Sequence, residues 1–382
     1  MLRILSLLGL VSVLGVFVFL IFNAGKRSFL WLKTMVPGMP SVPFWSCYAL
    51  SILAIFVVYI LSRVPNMALP REFLAFSHYA LGVAVYFLML VNVVHLCSFL
   101  VQLVSGGKLG GHGVLLWTGW GTFLLLAAVC TYGFLHAKII QVQEYSVSIS
   151  AKESEVSSLR VVLLSDVHLG YITDEAYVAR LVEAINSQGA DFVCIAGDLF
   201  DGDVTSLDDR EAIAGLFGSI ESRYGVYACL GNHDAGAGYE EMVAFCQEAG
   251  IVLLEDETAV VEDVLVISGR RDLSPIGNQG ATREEFAETA QMQTLPTIVL
   301  DHQPSSVSDY RAPVDLVLSG HTHKGQMFPF GLVTNAIFEV DYGYYETAAG
   351  VSVIVSSGAG TWGPPMRVAS DSEIVSILLD FS

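Results

Sequence analysis

Long apolar runs occupy most of the first third of this 382-residue chain. A helix needs about 20 apolar residues to cross the hydrocarbon core of a bilayer, so each run of that length predicts a membrane-spanning helix. We predict four spans, at about residues 2–22, 44–61, 79–101 and 113–135. The first run is too long for a signal peptide and no clear cleavage site follows it. The third exceeds one span, which predicts tilt or an interfacial turn before Tyr79.

Polar side chains within the spans are few, and the third span contains no Asp, Glu, Lys or Arg. We therefore expect its polar residues to form interhelical or interfacial hydrogen bonds rather than a transport path. The conspicuous ones are His78, Asn92, His95 and Gln102. Orientation is not decided by charge, because each side of the membrane would carry four of the basic residues. Three basic residues follow the first span, which favours a cytoplasmic position for that loop. Both ends of the chain, and with them the C-terminal domain, would then lie outside the cytoplasm.

After residue 138 the pattern changes to short apolar runs that alternate with helical spacing. Residues 145–150 alternate with period two and predict an edge strand. Helices are predicted at 174–186, with Thr173 as its N-cap, and at 208–222, 239–249 and 282–292. Further strands are predicted at 252–254, 258–261, 264–267, 351–355 and 374–379. We predict an all-α four-helix transmembrane region over residues 1–138 and a layered α/β domain with two sheets over residues 139–382.

Five predicted strands of this second domain end in residues that carry carboxylate, imidazole or carboxamide groups. The most informative end is Leu230-Gly231-Asn232-His233-Asp234, which follows the apolar run at 225–229. Strands of open α/β sheets place binding sites at their carboxyl ends. The other four strands lead into Asp166-Val167-His168, Gly197-Asp198, Asp301-His302 and Gly320-His321-Thr322-His323. Five such ends in one domain predict one shared site.

Charge and cysteine content narrow the chemistry of that site. The chain has eight basic residues and one acidic residue up to position 138, and 11 basic and 37 acidic residues beyond it. An acidic second domain disfavours nucleic acid and anionic surfaces as partners and favours cations. The six cysteines include no CxxC pair, so a thiolate zinc site is not indicated.

Carboxylate, imidazole and carboxamide ligands suit divalent ions such as Mn, Fe or Zn. The candidate ligands are too many for one tetrahedral ion but suit two ions that share a bridging carboxylate. Two ions about 3.5–4 Å apart can drive an in-line phosphoryl displacement by metal-bound hydroxide. His233 is not needed as a ligand and is placed to assist the leaving group. The seven candidate ligands are Asp166, His168, Asp198, Asn232, His302, His321 and His323.

The ordered motifs Asp-x-His, Gly-Asp, Gly-Asn-His-Asp, a lone His and Gly-His-x-His resemble the calcineurin-like metallophosphoesterases over residues 158–382. The stretches at 197–202, 320–326 and 358–367 resemble the bacterial membrane-associated branch. The resemblance implies a two-sheet β-sandwich flanked by helices and a dinuclear centre. It implies that Asp166, His168 and His323 hold one metal and that His233 protonates the leaving group or stabilises phosphoryl oxygens. It further implies that Asn232, His302 and His321 hold the second metal and that Asp198 bridges the two.

Several residues near the motifs keep two interpretations. Asp201 and Asp203 are either additional ligands or parts of a solvated acidic loop. Asp234 either orients His233 or caps the next helix. Lys324, where the family pattern suggests Gly, either meets an anionic substrate or points to solvent. Arg367 either contacts a phosphate, forms an ion pair or lies at the surface.

We therefore expect a multi-pass membrane protein, of a bacterial cell membrane, that hydrolyses a phosphomonoester, phosphodiester or pyrophosphate. Attachment to a bilayer raises the effective concentration of membrane-borne esters, so a lipid-linked substrate is one expectation. Two alternatives stay open: a non-catalytic membrane scaffold with the same fold, and a signalling phosphatase acting on a protein or nucleotide. His233 distinguishes the scaffold, which has no need of an imidazole beside the metals.

Overall fold

A computed structural model describes residues 2–64, 69–108, 111–149, 152, 156–201, 204–234, 238–276 and 282–381. Asp203, a candidate ligand from the sequence, lies outside these ranges. By compactness the chain forms two units. The first comprises Met1–Leu61 and Phe76–Tyr132, and the second comprises Ser62–Ala75 and Gly133–Ser382. The predicted domain boundary after residue 138 stays a prediction.

Four long apolar helices come first in the chain, which confirms the prediction of four spans. They are α1 (Leu2–Met35), α2 (Ser41–Leu61), α3 (Arg71–Val104) and α4 (His112–His136). Each is long and apolar enough to cross a membrane. The helices extend beyond the predicted spans: α1 continues past residue 22 to Met35, and α3 is one continuous helix on both sides of Tyr79. Lys26 and Arg27, predicted in a loop, therefore lie within a helix.

Polar side chains of the first unit form hydrogen bonds between helices, as expected. Asn23 Nδ2 of α1 donates to Asn92 Oδ1 of α3 at 2.8 Å, and Asn92 Nδ2 donates to the Leu20 carbonyl at 3.1 Å. One turn further along, Arg27 Nη2 lies 2.6 Å from His95 Nε2. Such bonds satisfy polar groups that lipid cannot.

The second unit contains two six-stranded sheets. In the first sheet the order is β1-β12-β2-β3-β4-β5, and in the second it is β10-β11-β9-β8-β7-β6. The strands are β1 (Ile140–Ile149), β2 (Ser158–Leu164), β3 (Phe192–Ala196), β4 (Val226–Cys229), β5 (Ile251–Leu253), β6 (Glu257–Val261), β7 (Leu265–Gly269), β8 (Thr297–Leu300), β9 (Leu316–Ser319), β10 (Gly343–Glu346), β11 (Ser352–Val355) and β12 (Ser372–Phe381). Within each sheet the central strands, β2-β3-β4 and β7-β8-β9, are parallel neighbours.

Alternate residues of the central strands enter two different cores. Val162 and Leu164 of β2 pack in the core that also contains residues of the helices. Leu163, between them, belongs to a second core, to which strands of both sheets contribute. This alternation follows from the two-residue period of a strand, and it makes the domain a sandwich with helices outside. The predicted fold class is confirmed.

Short helices follow the strands. They are α5 (Glu175–Asn186), α6 (Arg210–Gly218), α7 (Tyr239–Glu248), α8 (Ala290–Thr294) and α9 (Gly331–Ile337). Asp174, not Thr173, caps α5 by accepting from the Tyr177 amide. Thr173 instead donates its hydroxyl to the His168 carbonyl at 2.9 Å.

The helix predicted over residues 282–292 is absent, since residues 282–289 have no regular structure and α8 begins only at Ala290. Tertiary contacts hold this stretch. Arg283 makes two bonds of 2.8 and 2.7 Å to the Asp301 carboxylate, and the Glu284 amide donates to Asp256 Oδ2 at 2.8 Å. A bidentate arginine–carboxylate pair outweighs a weak local helix preference.

Candidate metal centre

All seven candidate ligands follow the carboxyl ends of parallel strands, and both sheets contribute. Asp166 and His168 follow β2, Asp198 follows β3 and Asn232 follows β4 in the first sheet. His302 follows β8, and His321 and His323 follow β9, in the second. Five of the seven have a positive φ of 50–72°, a region that side chains other than glycine rarely adopt. They are Asp166, His168, Asp198, His321 and His323. Backbone strain of this kind clusters at functional sites.

Three of these side chains form a first cluster. Ligand atoms of Asp166, His168 and His323 all lie within 4.8 Å of one another, and all three residues are buried. His168 Nε2 is 3.1 Å from His323 Nε2, and His323 Nε2 is 3.3 Å from Asp166 Oδ1. Two imidazole nitrogens at this distance can share a proton or ligate one cation, and the carboxylate beside them favours a positive charge there.

A second cluster lies beside the first. Ligand atoms of Asp198, His302 and His321 again lie within 4.8 Å of one another. Asn232 joins it, because its Oδ1 is 3.1 Å from His302 Nε2 and 2.8 Å from His321 Nδ1. Asp198 Oδ2 is 3.2 Å from His302 Nε2 and 3.8 Å from His168 Nε2 of the first cluster. Asp198 is therefore the residue that faces both clusters.

The pKa shifts differ among the candidate ligands. Burial lowers the pKa of His321 to about 4 and lowers the pKa of His323 well below its ordinary value. Both imidazoles are then neutral near pH 7, as ligands must be. Burial alone would raise the pKa of Asp198, but His302 and His168 outweigh it and hold that pKa below the usual range. Asp198 in turn holds the pKa of His302 well above its ordinary value, against the effect of burial. The pocket therefore favours positive charge between these side chains.

Two glycines bring the ligand loops into close contact. A Cβ on Gly231 would lie 2.5 Å from the Asp198 backbone nitrogen and closer still to its carboxylate. A Cβ on Gly320 would lie 2.6 Å from Ser165 Oγ and closer to Asp166. Only glycine lets the backbone approach the carboxylates at these two positions.

His233 lies at the edge of the two clusters. Its Nδ1 is 3.8 Å from Asp201 Oδ1, and its ring centroid is 5.2 Å from that of His168 and 6.0 Å from that of Trp362. Its side chain is 14 % exposed, so a substrate can reach this ring. Burial lowers the pKa of His233 to about 4, so its ring is neutral near pH 7 and still offers one N–H.

Asp201 stays a candidate additional ligand, because ligand atoms of His168, Asp201 and His233 lie within 4.8 Å of one another. Asp234 has a role that neither sequence interpretation gave. Asp201 is not solvated: its side chain is 15 % exposed, and Arg63 Nη1 donates to its Oδ1 at 2.6 Å. Asp234 is not the cap of the next described helix, since α7 has Gly238 as its N-cap residue. It is fully buried and accepts from the amides of Gly231, Leu199 and Phe200 at 2.8–3.2 Å, which ties the Asn232 loop to the Asp198 loop. In the sequence, the spacing of Asp234 three positions after Gly231 was the feature that could have indicated this bond between the Asp234 carboxylate and the Gly231 amide.

Arg367 and Lys324 also have defined partners. Arg367 is fully buried and donates to the carbonyls of His323, Gly358 and Gly360, so it braces the first cluster rather than meeting solvent. Lys324 Nζ lies 3.9 Å from the centroid of the Tyr342 ring, a cation–π contact. Arg63, which lies between α2 and α3, was not identified from the sequence. Arg63 is far from the motifs along the chain, so the sequence did not indicate that it contacts Asp201.

Comparisons with known proteins identify the family of the chain. The sequence model described as "Calcineurin-like phosphoesterase" matches residues 159–325. A metallophosphoesterase of Aquifex aeolicus is 31% identical over 253 residues, which cover 65% of this chain and 95% of that protein. A "Transmembrane protein with metallophosphoesterase domain" of Danio rerio is 32% identical over 327 residues, covering 80% of this chain and 73% of that protein.

A more distant relative is the "UDP-2,3-diacylglucosamine pyrophosphatase LpxG" of Chlamydia trachomatis. It is 24% identical over 271 residues, covering 56% of this chain and 80% of that protein. The relatives include bacterial and transmembrane proteins, and they support a phosphoric ester hydrolase. This chain, with its apolar helices and its two ligand clusters, belongs to the calcineurin-like phosphoesterase family.

Proposed function

We propose that the two clusters hold two divalent metal ions. Asp166, His168 and His323 would hold one ion, and Asp198 would bridge to the other. Asn232, His302 and His321 would complete the second site. The convergence of these ligand atoms within 4.8 Å in each cluster supports the assignment. The donor set, oxygen and imidazole nitrogen without thiolate, suits Mn, Fe or Zn.

Bound ions of this kind lower the pKa of water and neutralise charge on phosphoryl oxygens. Residues of the chain would position the ions and assist the leaving group. Asp198, facing both clusters, would fix the spacing of the two sites. His233, partly exposed at the edge of the clusters, would donate a hydrogen bond to the leaving oxygen or to a phosphoryl oxygen. In its protonated form the ring would supply the leaving group with a proton.

We propose further that the substrate is a lipid-linked phosphoester or pyrophosphate. The observation that carries this proposal is the presence of four membrane-spanning candidates and the phosphoesterase domain in one chain. Anchoring raises the effective concentration of esters in the same bilayer. The name of the Chlamydia trachomatis relative, a pyrophosphatase for a diacylated sugar nucleotide, is in keeping with it. We also propose that the domain faces away from the cytoplasm, which protease digestion of sealed cells would test.

The test uses the full chain in mixed detergent–phospholipid micelles with added manganese. Hydrolysis of a diacylated sugar-nucleotide pyrophosphate is compared with that of soluble aryl phosphate mono- and diesters. We expect the lipid-linked ester to give the highest kcat/KM. We also expect Asp198→Asn and His233→Ala to lower every activity by about 10²-fold or more.

Each result points to a different conclusion. Equal rates on lipid-linked and soluble esters would remove the lipid proposal and favour a phosphatase for soluble proteins or nucleotides. Full activity of Asp198→Asn would contradict the proposed metal centre, whatever the substrate.

A further inference from the structure

The segment between α2 and α3 reaches the metal centre. Residues Ser62–Ala75 form one compact unit with Gly133–Ser382. Two arginines of this segment, Arg63 and Arg71, contact loops that follow β2 and β3. The connection between the second and third membrane-spanning candidates contributes Arg63 to the loops that carry the candidate ligands, and the first residue of the third candidate contributes Arg71.

Arg63 holds a carboxylate that faces two imidazoles of the site. Arg63 Nη1 donates to Asp201 Oδ1 at 2.6 Å, and the two side chains are 27 % and 15 % exposed. The same carboxylate oxygen lies 3.6 Å from His168 Nδ1 and 3.8 Å from His233 Nδ1. One oxygen therefore faces a guanidinium, a candidate metal ligand and the candidate proton donor.

His168 needs such a partner. Its Nε2 faces the first cluster, whereas its Nδ1 is buried and has no partner within hydrogen-bond distance among the residues that the structure describes. Histidines that bind metal usually donate their second ring N–H to a carboxylate or carbonyl, which fixes the tautomer and the ring orientation. Asp201 is the carboxylate placed to do this, and a shift of a few tenths of an ångström would complete the bond.

Asp201 depends on its neighbours for its orientation, because its side chain is only 15 % exposed and Arg63 Nη1 donates to its Oδ1 at 2.6 Å. Without Arg63, a poorly solvated carboxylate would lose its fixed partner and its orientation.

Arg71 fixes the backbone around this carboxylate. Its guanidinium donates to the carbonyl of Ser206 and, at 3.2 Å, to that of Gly170. It also lies 5.9 Å from the centroid of the Tyr171 ring. Gly170 follows His168 by two positions, so the segment contacts the ligand loop through backbone as well as side chain.

We propose that Arg63 is a positioning residue of the metal centre: it fixes Asp201, which orients His168 toward the metal and His233 toward the substrate. This inference rests on the proposed dinuclear centre. It also means that a fragment beginning at residue 139 lacks part of the site.

The experiment measures Mn²⁺ affinity of the full chain in detergent by competition with a chelator, a readout that needs no substrate. Variants are Arg63→Ala, Arg63→Lys, Asp201→Asn and the double variant Arg63→Ala with Asp201→Asn. The control is Arg210→Ala, which removes a surface arginine that pairs with Glu248 at 2.9 Å. We expect Arg63→Ala to weaken Mn²⁺ binding by about 10–100-fold and to lower activity in parallel. Arg63→Lys keeps the charge without the planar fork and should recover part of the loss.

The double variant distinguishes positioning through Asp201 from an independent structural role. If Arg63 acts through Asp201, the double variant should bind Mn²⁺ no more weakly than Asp201→Asn alone. Additive losses, or wild-type Mn²⁺ affinity in Arg63→Ala, would overturn the inference while leaving the metal centre in place. Mn²⁺ affinity that is unchanged in Asp198→Asn would instead refute the proposed metal centre, and this inference with it.

Discussion

Replacing Gly231 with alanine should displace the carboxylate that faces both clusters. The new methyl group would lie 2.5 Å from the Asp198 backbone nitrogen and 2.8 Å from its carboxylate carbon. Unstrained contacts of carbon need about 3.5 Å, so the two loops must separate by about 1 Å. The backbone nitrogen cannot rotate away, which leaves movement of the whole loop as the only relief.

The size of the effect follows from that displacement. A shift of about 1 Å at a reacting centre costs about 10²-fold in rate, and overpacking costs about 1–3 kcal/mol of folding free energy. We therefore expect Gly231→Ala to lower kcat by about 10²-fold or more. We also expect it to bind less than its full complement of Mn²⁺, because Asp198 is the proposed bridge.

Gly215 offers a matched control for this substitution. It is an exposed position within α6, and a Cβ there would meet nothing within 4 Å. Gly215→Ala should leave activity unchanged and stabilise the helix by about 0.5–1 kcal/mol. Both variants are purified in detergent and compared by aryl phosphate hydrolysis, metal content and thermal unfolding. Gly231→Ala that keeps both ions and wild-type kcat would refute the close-approach argument.

Three further predictions concern the same unit. Asp234→Ala leaves three buried amides without an acceptor and should lower the unfolding free energy by about 3 kcal/mol or more, measured by denaturant titration; a loss below about 1 kcal/mol would contradict the proposed tie between loops. Burial raises the pKa of the Glu373 carboxyl above its ordinary value of 4.5. The protonated carboxyl therefore contributes fully to the unfolding free energy below pH 4.5, and this contribution is lost as pH rises through the raised pKa. Glu373→Gln should flatten this decline when the unfolding free energy is measured against pH. Chelation should lower stability by about 3 kcal/mol relative to Mn²⁺ at about 100 times its Kd, and Asp198→Asn should show little of this difference in thermal scans.

The apolar patterns predicted the fold well where burial decides structure. The central strands are buried on both faces, and their short apolar runs, each ending in a Gly or a polar group, located β2, β3, β4, β8 and β9. The helix predicted at residues 282–292 was wrong for the opposite reason. Helical spacing there is real, but Arg283 binds Asp301 across the fold, and periodicity carries no information about such partners.

The ligand clusters were predictable because order along the chain maps onto neighbouring strand ends. Asp166, Asp198 and Asn232 follow adjacent parallel strands, so their convergence needs only the sheet order. Arg63 could not be predicted. It lies 138 positions before Asp201 in the sequence, and its contact depends on a tertiary arrangement that no motif records.

The pairing of β1 with β12 bears on the synthesis of the protein on the ribosome. β1 pairs along its whole length, Ile140 opposite Ser372 through Ile149 opposite Phe381, and β12 separates it from β2. β2 to β5 can pair as they emerge, but β1 has no partner until the chain has been translated through β12. During that interval its ten residues form an unpaired strand, open to wrong partners or chaperones. A nascent chain stalled before Ser372 should therefore expose β1 to protease, whereas one released after Phe381 should protect it.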